Sequence, residues 1–103
     1  FVRWGIAEAL MHIMKIYRSD GDKTRDALIV IHHVLLHFEN VQRFIDAGLL
    51  ETLVDVFNSS VNQDKRFLRL IVNNLLVYDE NLFYRFQELG IDEGSDFFWI
   101  EVV

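Results

Sequence analysis

The sequence predicts an all-α protein, a solenoid of stacked helical repeats. The pattern Phe-x-x-x-Gly occurs three times, and its glycines, Gly5, Gly48 and Gly90, are 43 and 42 residues apart. Between them apolar residues recur at helical spacing, and the 103 residues include no proline. A period in the low forties is typical of α-solenoids, in which each unit buries its apolar face against its neighbours.

Composition narrows the class of protein. The chain is 51% hydrophobic, which is high for a small isolated domain, and it begins with Phe1, so we expect a segment of a longer stack. A net charge of −6 argues against a nucleic-acid partner or an anionic membrane. No apolar run is long enough to span a membrane, and without cysteine there is no disulfide framework. We expect a cytoplasmic protein, with the nucleus as an alternative.

The first repeat, residues 6–47, is predicted to contain helices over residues 6–17, 23–37 and 40–47. Asp22 is expected to cap the second helix, because its carboxylate can accept hydrogen bonds from the first backbone N–H groups. Gly48 ends the third helix in a left-handed conformation. The predicted apolar faces are Ile6, Leu10, Ile13, Met14 and Tyr17 in the first helix and Ala27, Val30, Ile31, Val34, Leu35 and Phe38 in the second.

The second repeat, residues 48–90, follows the same plan, with helices predicted over residues 49–57, 63–78 and 81–89 and a closing Gly90. Residues 28–40 align without gaps on residues 69–81, and both blocks end in Glu-Asn. This second match supports the repeat independently of the glycines. The predicted inward residues are Leu50, Leu53, Val54, Phe57, Leu68, Ile71, Val72, Leu75 and Leu76.

Residues 91–103 leave the pattern and form a tail or the start of a further helix. An acidic stretch precedes Phe97-Phe-Trp-Ile-Glu-Val-Val103. This segment is either an inward segment without its covering neighbour or a hydrophobic tail that docks onto a partner or onto its own stack. Its β-branched and aromatic content also allows a strand.

Over residues 1–90 the chain resembles the armadillo repeat family. Gly48-Leu-Leu-Glu-Thr-Leu-Val-Asp-Val-Phe57 and Gly5-Ile-Ala-Glu-Ala-Leu-Met-His-Ile-Met14 are similar to the family's middle helix, and Val72-Asn-Asn-Leu75 and Ile31-His-His-Val34 to the L-x-N-L element of its long helix. The resemblance implies a right-handed superhelix of about two repeats, in which residues 1–5 end a truncated repeat. It also implies a binding scaffold whose long helices line a concave groove.

Two rows of residues are predicted to line this groove. They remain on the exposed sides of the long helices once the inward positions are removed, at steps of three and four residues. Mixed aromatic, apolar and amide groups are typical of peptide-binding surfaces, although packing on a neighbouring repeat is an equally open alternative. The rows are Asp26, Ile29, His33 and His37 in the first repeat and Phe67, Leu70, Asn74 and Tyr78 in the second.

The predicted groove differs from that of the nuclear-import adaptors, which are members of the armadillo family. Those proteins carry an asparagine with a tryptophan four residues earlier. Asn74 matches the asparagine, but Leu70 stands at the tryptophan position, and the first repeat has His33 and Ile29 there. We therefore expect no import-signal site in these repeats.

Metal and catalytic chemistry have little support in the sequence. His33 and His37 are four residues apart and could share an ion, but no motif supplies a third ligand, and His32 is expected to point elsewhere. No nucleophile elbow or glycine-rich phosphate loop is present. We expect neither a cofactor nor an enzymatic activity in this segment.

The resulting functional prediction is a scaffold or adaptor that binds a peptide or a partner helix in the groove. Two alternatives stay open. The chain resembles, in its lack of an asparagine ladder, armadillo-type cofactors of Hsp70 that promote nucleotide exchange. It could also be a regulatory segment of a larger enzyme.

Overall fold

The computed structural model describes residues 5–59, 65–92, 94 and 96–98, and within these ranges the regular structure is helical, with no strand. The helices are close to those predicted, although the start of the fifth (residues 63 and 64), Phe1 and the end of the tail (residues 99–103) lie outside the described residues. The elements are α1 Ile6–Ile16, α2 Gly21–Leu35, a 3-10 turn Phe38–Asn40, α3 Val41–Asp46, α4 Leu49–Asn58, α5 Arg66–Tyr78, α6 Leu82–Glu88 and a 3-10 turn Asp96–Phe98.

In the repeated Phe-x-x-x-Gly pattern, Gly48 and Gly90 form the turns that follow the short helices α3 and α6, and Gly5 directly precedes α1. Gly5, Gly48 and Gly90 have φ values of 94°, 100° and 100°, and they are the only described residues with positive φ. A left-handed backbone is strained for residues with a Cβ, which explains why glycine recurs there. Phe44 and Phe86, four residues before two of these glycines, are fully buried and anchor the short helices in the core.

The buried side of α1 matches the predicted one only at Met14 and, in part, at Leu10. Ala7, Met11 and Met14 face the core, where α1 packs against α2, α3 and α4. Ile6 and Ile13 are each 40% exposed, and Tyr17 is exposed as well. Glu8, His12 and Lys15 mark only a narrow polar side of α1, and periodicity could not show which part of the wide apolar side is covered.

Helix α2 differs from prediction at its cap and at two apolar positions. Asp20, not Asp22, is the N-cap, and its Oδ1 accepts hydrogen bonds from the backbone N–H groups of Asp22 and Lys23, each at 3.1 Å. Val30 and Phe38, which were expected to face inward, are exposed. At the other end Asn40 Nδ2 donates to the carbonyl oxygen of Val34 at 3.1 Å, which satisfies one of the last carbonyls of the helix.

Helices α4 and α5 form the centre of the core as predicted. Leu50, Leu53, Ile71 and Leu75 are completely buried. Helix α4 packs on α1 and α3, while α5 packs on α2 and α6. Each of α1 and α2 therefore contacts the helix that lies three α-helices later in the chain.

The second 3-10 turn folds back onto the helices. Phe97 is buried, and its ring centroid lies 5.1 Å from that of Phe57 and 4.8 Å from that of Phe86. The neighbouring Phe98 ring lies 4.6 Å from that of Phe83. This part of the tail thus packs on its own helices. No helix in the described part of the chain has the length and apolar character needed to cross a bilayer.

Candidate functional site

The two longest helices lie side by side and run in the same direction. Asn74 Nδ2 on α5 lies 3.4 Å from His32 Nδ1 on α2. Just beyond α2, the ring of Phe38 meets that of Tyr78 edge to face, with centroids 5.6 Å apart. Because residue numbers increase together along the two contacts, α2 and α5 are parallel, and their solvent-facing sides form one surface.

We call this surface the α2–α5 face. Its members lie on the exposed sides of α2 and α5 and on the turn that follows α2, and they comprise Asp26, Ile29, His33, Leu36, His37, Phe38, Arg66, Leu70, Asn73 and Val77. The first predicted row lies entirely on it: Asp26, His33 and His37 are exposed, and Ile29 is half-buried. Asp26 lies 3.8 Å from Arg25, a surface ion pair that contributes little to stability.

The second predicted row lies mostly at the junction of the two helices. Phe67, Asn74 and Tyr78 are half-buried, whereas Leu70 is 44% exposed on the α2–α5 face. Helix α5 is thus turned slightly from the predicted orientation. Asn74 reaches His32, a residue that was expected to point elsewhere.

Three exposed apolar residues of this face were missed by the prediction of the rows. Val77 is 74% exposed, Leu36 57% and Phe38 48%. Val77 follows Leu70 by seven residues, and Leu36 follows Ile29 by seven. Two helical turns separate residues that are seven apart, so this spacing was a signal in the sequence. Large apolar side chains grouped in solvent are typical of binding surfaces.

The adjacent histidines have different surroundings. His33 Nδ1 donates to the Ile29 carbonyl oxygen at 2.8 Å, because a carbonyl can only accept. His32 Nδ1 accepts from the Asn74 amide and is therefore unprotonated. Burial, and to a smaller extent the nearby charge of His33, lower the pKa of His32 below its usual value near 6.5. His32 is a neutral hydrogen-bond acceptor at the helix junction.

A concave site elsewhere, between α1, the start of α2 and α4, has a volume of about 260 Å³. Met14, Lys15, Arg18 and Asp55 are among the side chains that line it. Its two threonine hydroxyls are engaged by the backbone: Thr24 Oγ1 donates to the Tyr17 carbonyl oxygen at 3.2 Å, and Thr52 Oγ1 to that of Gly48 at 2.9 Å. These hydroxyls stabilise the helix ends and do not converge on the cavity as a reactive group would.

The described residues contain no group of three or more His, Cys, Asp or Glu side chains placed to share a metal ion. The α2–α5 face carries exposed apolar side chains with polar groups beside them.

Comparison of the chain with protein-family models, with curated proteins and with solved structures gave no match.

Proposed function

We propose that this chain is a protein-interaction segment and that a protein partner binds to its α2–α5 face. The observation that supports this most strongly is the exposure of Leu36, Phe38, Leu70 and Val77 on one side of two adjoining helices. If a partner buried these side chains, each would contribute about 25 cal/mol of favourable free energy per Å² of apolar area removed from water. Binding energy of this kind is concentrated in a few central residues.

The scaffold proposed for this surface is a right-handed, armadillo-like α-solenoid. Three features favour it: the glycine period, the packing of α1 on α4, and the packing of α2 on α5. In a solenoid with three helices per repeat, each helix meets its counterpart in the next unit.

Further repeat units of a longer chain would pack on the exposed side of α1. With Gly5 aligned on Gly48, Ile6 corresponds to Leu49 and Ile13 to Val56. Leu49 and Val56 are buried, whereas Ile6 and Ile13 are exposed. The exposed apolar side of α1 therefore matches a side of α4 that the structure covers.

The test of the binding surface is a comparison of two variants that add charge at exposed positions. Leu70→Asp with Val77→Asp should reduce the affinity for a genuine partner at least about tenfold, because each aspartate would be desolvated in the interface. Ile16→Asp is the control, since Ile16 is 58% exposed and belongs to α1, not to α2 or α5. Circular dichroism and urea unfolding would show that both variants remain folded.

The measurement is affinity capture from cell extract with each tagged protein, followed by mass spectrometry. The proposal expects proteins that the unsubstituted chain and Ile16→Asp retain and that the double variant loses. If every captured protein is retained by the double variant, the α2–α5 face is not the binding surface.

A further inference from the structure

Another concave site lies where α5 ends and α6 begins, and it includes none of the residues of the α2–α5 face. This cleft has a volume of about 390 Å³, which is within the usual range of ligand-binding sites. Two aromatic rings, a carboxylate, an amide and one aliphatic side chain line it, and they belong to Phe83, Tyr84, Glu80, Asn81 and Leu76. Aromatic rings beside a carboxylate are groups that recognise an organic cation.

A turn of backbone brings the carboxylate and the two rings to the same cleft. The Phe83 N–H donates to the Glu80 carbonyl oxygen, and the Tyr84 N–H donates to that of Asn81, each at 3.1 Å. Residues three and four apart on a helical turn are neighbours, which places Glu80 beside both rings. The two ring centroids are 5.7 Å apart, and the ring planes meet at 81°. One cation can therefore lie within about 6 Å of both centroids, where cation–π attraction is effective.

The two rings differ in how firmly they are held. Phe83 is half-buried, and its ring centroid lies 4.6 Å from that of Phe98, a residue that does not line the cleft. Tyr84 is 62% exposed, so a ligand can reach its ring directly from solvent. Phe83 thus forms a wall that the tail supports, and Tyr84 forms the open side.

The charges around the cleft favour a cation. Glu80 is exposed and forms no ion pair with any residue that the structure describes, and the neighbouring Asp79 is a second acid. Arg85, the basic residue of α6, does not line the cleft. Within the same described part of the chain, no lysine or arginine lies over the ring of Phe83 or Tyr84. The cation that would complete this site must therefore come from a ligand.

From the paired rings and the adjacent carboxylate, we propose that this cleft binds a quaternary ammonium group, such as that of trimethyllysine or choline. The inference does not depend on the α2–α5 face, because the two sites share no residue. A primary ammonium is strongly hydrated, whereas a quaternary one has no N–H group and contacts aromatic rings through its methyl groups. A neutral apolar ligand would cover the Glu80 carboxylate without pairing its charge, which is unfavourable.

The experiment titrates the isotope-labelled chain with three probes and follows the backbone amide NMR signals of residues 80–84. The probes are choline, its neutral isostere dimethylbutanol, in which a carbon atom replaces the nitrogen, and a short peptide that contains trimethyllysine. Both cationic probes should shift these signals with a Kd of about 1–10 mM, and the neutral isostere should bind at least about fivefold more weakly. Tighter binding of the peptide than of choline supports a modified partner protein as the source of the ligand. The reverse order supports a small molecule or a lipid headgroup.

Four variants test whether these residues form the site. Tyr84→Ala should weaken choline binding at least about fivefold, whereas Tyr84→Phe keeps the ring and should retain the binding. Glu80→Gln should weaken it about threefold, as expected for an exposed charge pair. Glu88→Gln is the matched control, because it removes an exposed carboxylate elsewhere on α6 and should have no effect. Equal affinity for choline and for its neutral isostere, or unchanged choline binding in Tyr84→Ala, would overturn the proposal.

Discussion

Asn74 shows that a shift of one residue along a helix changes which side chain a neighbouring helix contacts. The gapless alignment of the two repeats places Asn74 over His33. In the structure its partner is His32, 42 residues earlier, at the junction of α2 and α5. Successive residues of a helix are rotated by about 100°, so a shift of one residue moves a side chain from solvent to a helix interface. The sequence placed Asn74 and His33 at equivalent positions of the two repeats, and it did not predict the contact with His32.

The neutral His32 predicts a pH dependence of stability. Its pKa is lowered in the folded protein, so the unfolded chain binds more protons between that lowered pKa and about 6.5. The contribution of neutral His32 to the free energy of unfolding is therefore fully present above about pH 6.5. It is lost as the pH falls from there through the lowered pKa. Urea unfolding at pH 7.5 and pH 5.5 should show a smaller loss of unfolding free energy for His32→Gln than for the unsubstituted chain.

The two proteins differ only at position 32, so the difference between their losses of unfolding free energy isolates His32. An equal loss of unfolding free energy in the two proteins would mean that the junction does not hold His32 in its neutral form.

At the scale of single elements, the predictions succeeded where one side of a helix is polar. In α4 and α5 the predicted inward residues Leu53, Ile71 and Leu75 are buried, because charged residues mark the opposite sides. In α1 they failed for Ile6 and Ile13. Hydrophobic periodicity separates the apolar side of a helix from the polar side, and in α1 the apolar side is wider than the part that is covered.

The cap of α2 gives a prediction at this scale. Asp20→Ala removes the acceptor for the backbone N–H groups of Asp22 and Lys23 and should lower the unfolding free energy by about 1 kcal/mol. Asp22→Ala is the matched control. Asp22 lies in the first turn, where its carboxylate interacts with the helix dipole only, at about 0.3–1 kcal/mol.

Urea unfolding of the two variants checks the assignment. If Asp22→Ala proved the more destabilising of the two, the helix would begin where the sequence alone predicted. The two aspartates flank Gly21, and both fit the preference for a cap, so composition could not choose between them.

On the scale of the whole molecule, the two ends of the helical arrangement differ in how far the core is covered. At the C-terminal edge Phe97 packs between Phe57 and Phe86 and covers the core. At the edge formed by α1, Ile6, Ile13 and Tyr17 remain exposed. The all-helical class and the glycine turns were predictable because they depend on local backbone chemistry. Coverage of an edge was not, because it depends on which segments meet in space.

The same reason explains why only one of the two predicted rows lies entirely on the α2–α5 face. The first row, including His33, lies on the α2–α5 face, since the inward side of α2 was nearly right. Val77 was missed because Asn74 and Tyr78 are the α5 residues that meet His32 and Phe38, which turns Leu70 and Val77 to solvent. Helix packing sets this rotation, and helical spacing alone cannot fix it.

Binding of a protein to the α2–α5 face is tested most directly by site-specific photo-cross-linking in cells. A benzophenone amino acid replaces Val77 in one protein and Leu36 in a second, and it replaces Ile16 in a control, since all three side chains are exposed. A benzophenone reacts only with groups in direct contact. We expect the same partner to be cross-linked from positions 77 and 36 and not from position 16. Cross-linking from position 16 alone, with none from 77 or 36, would contradict it.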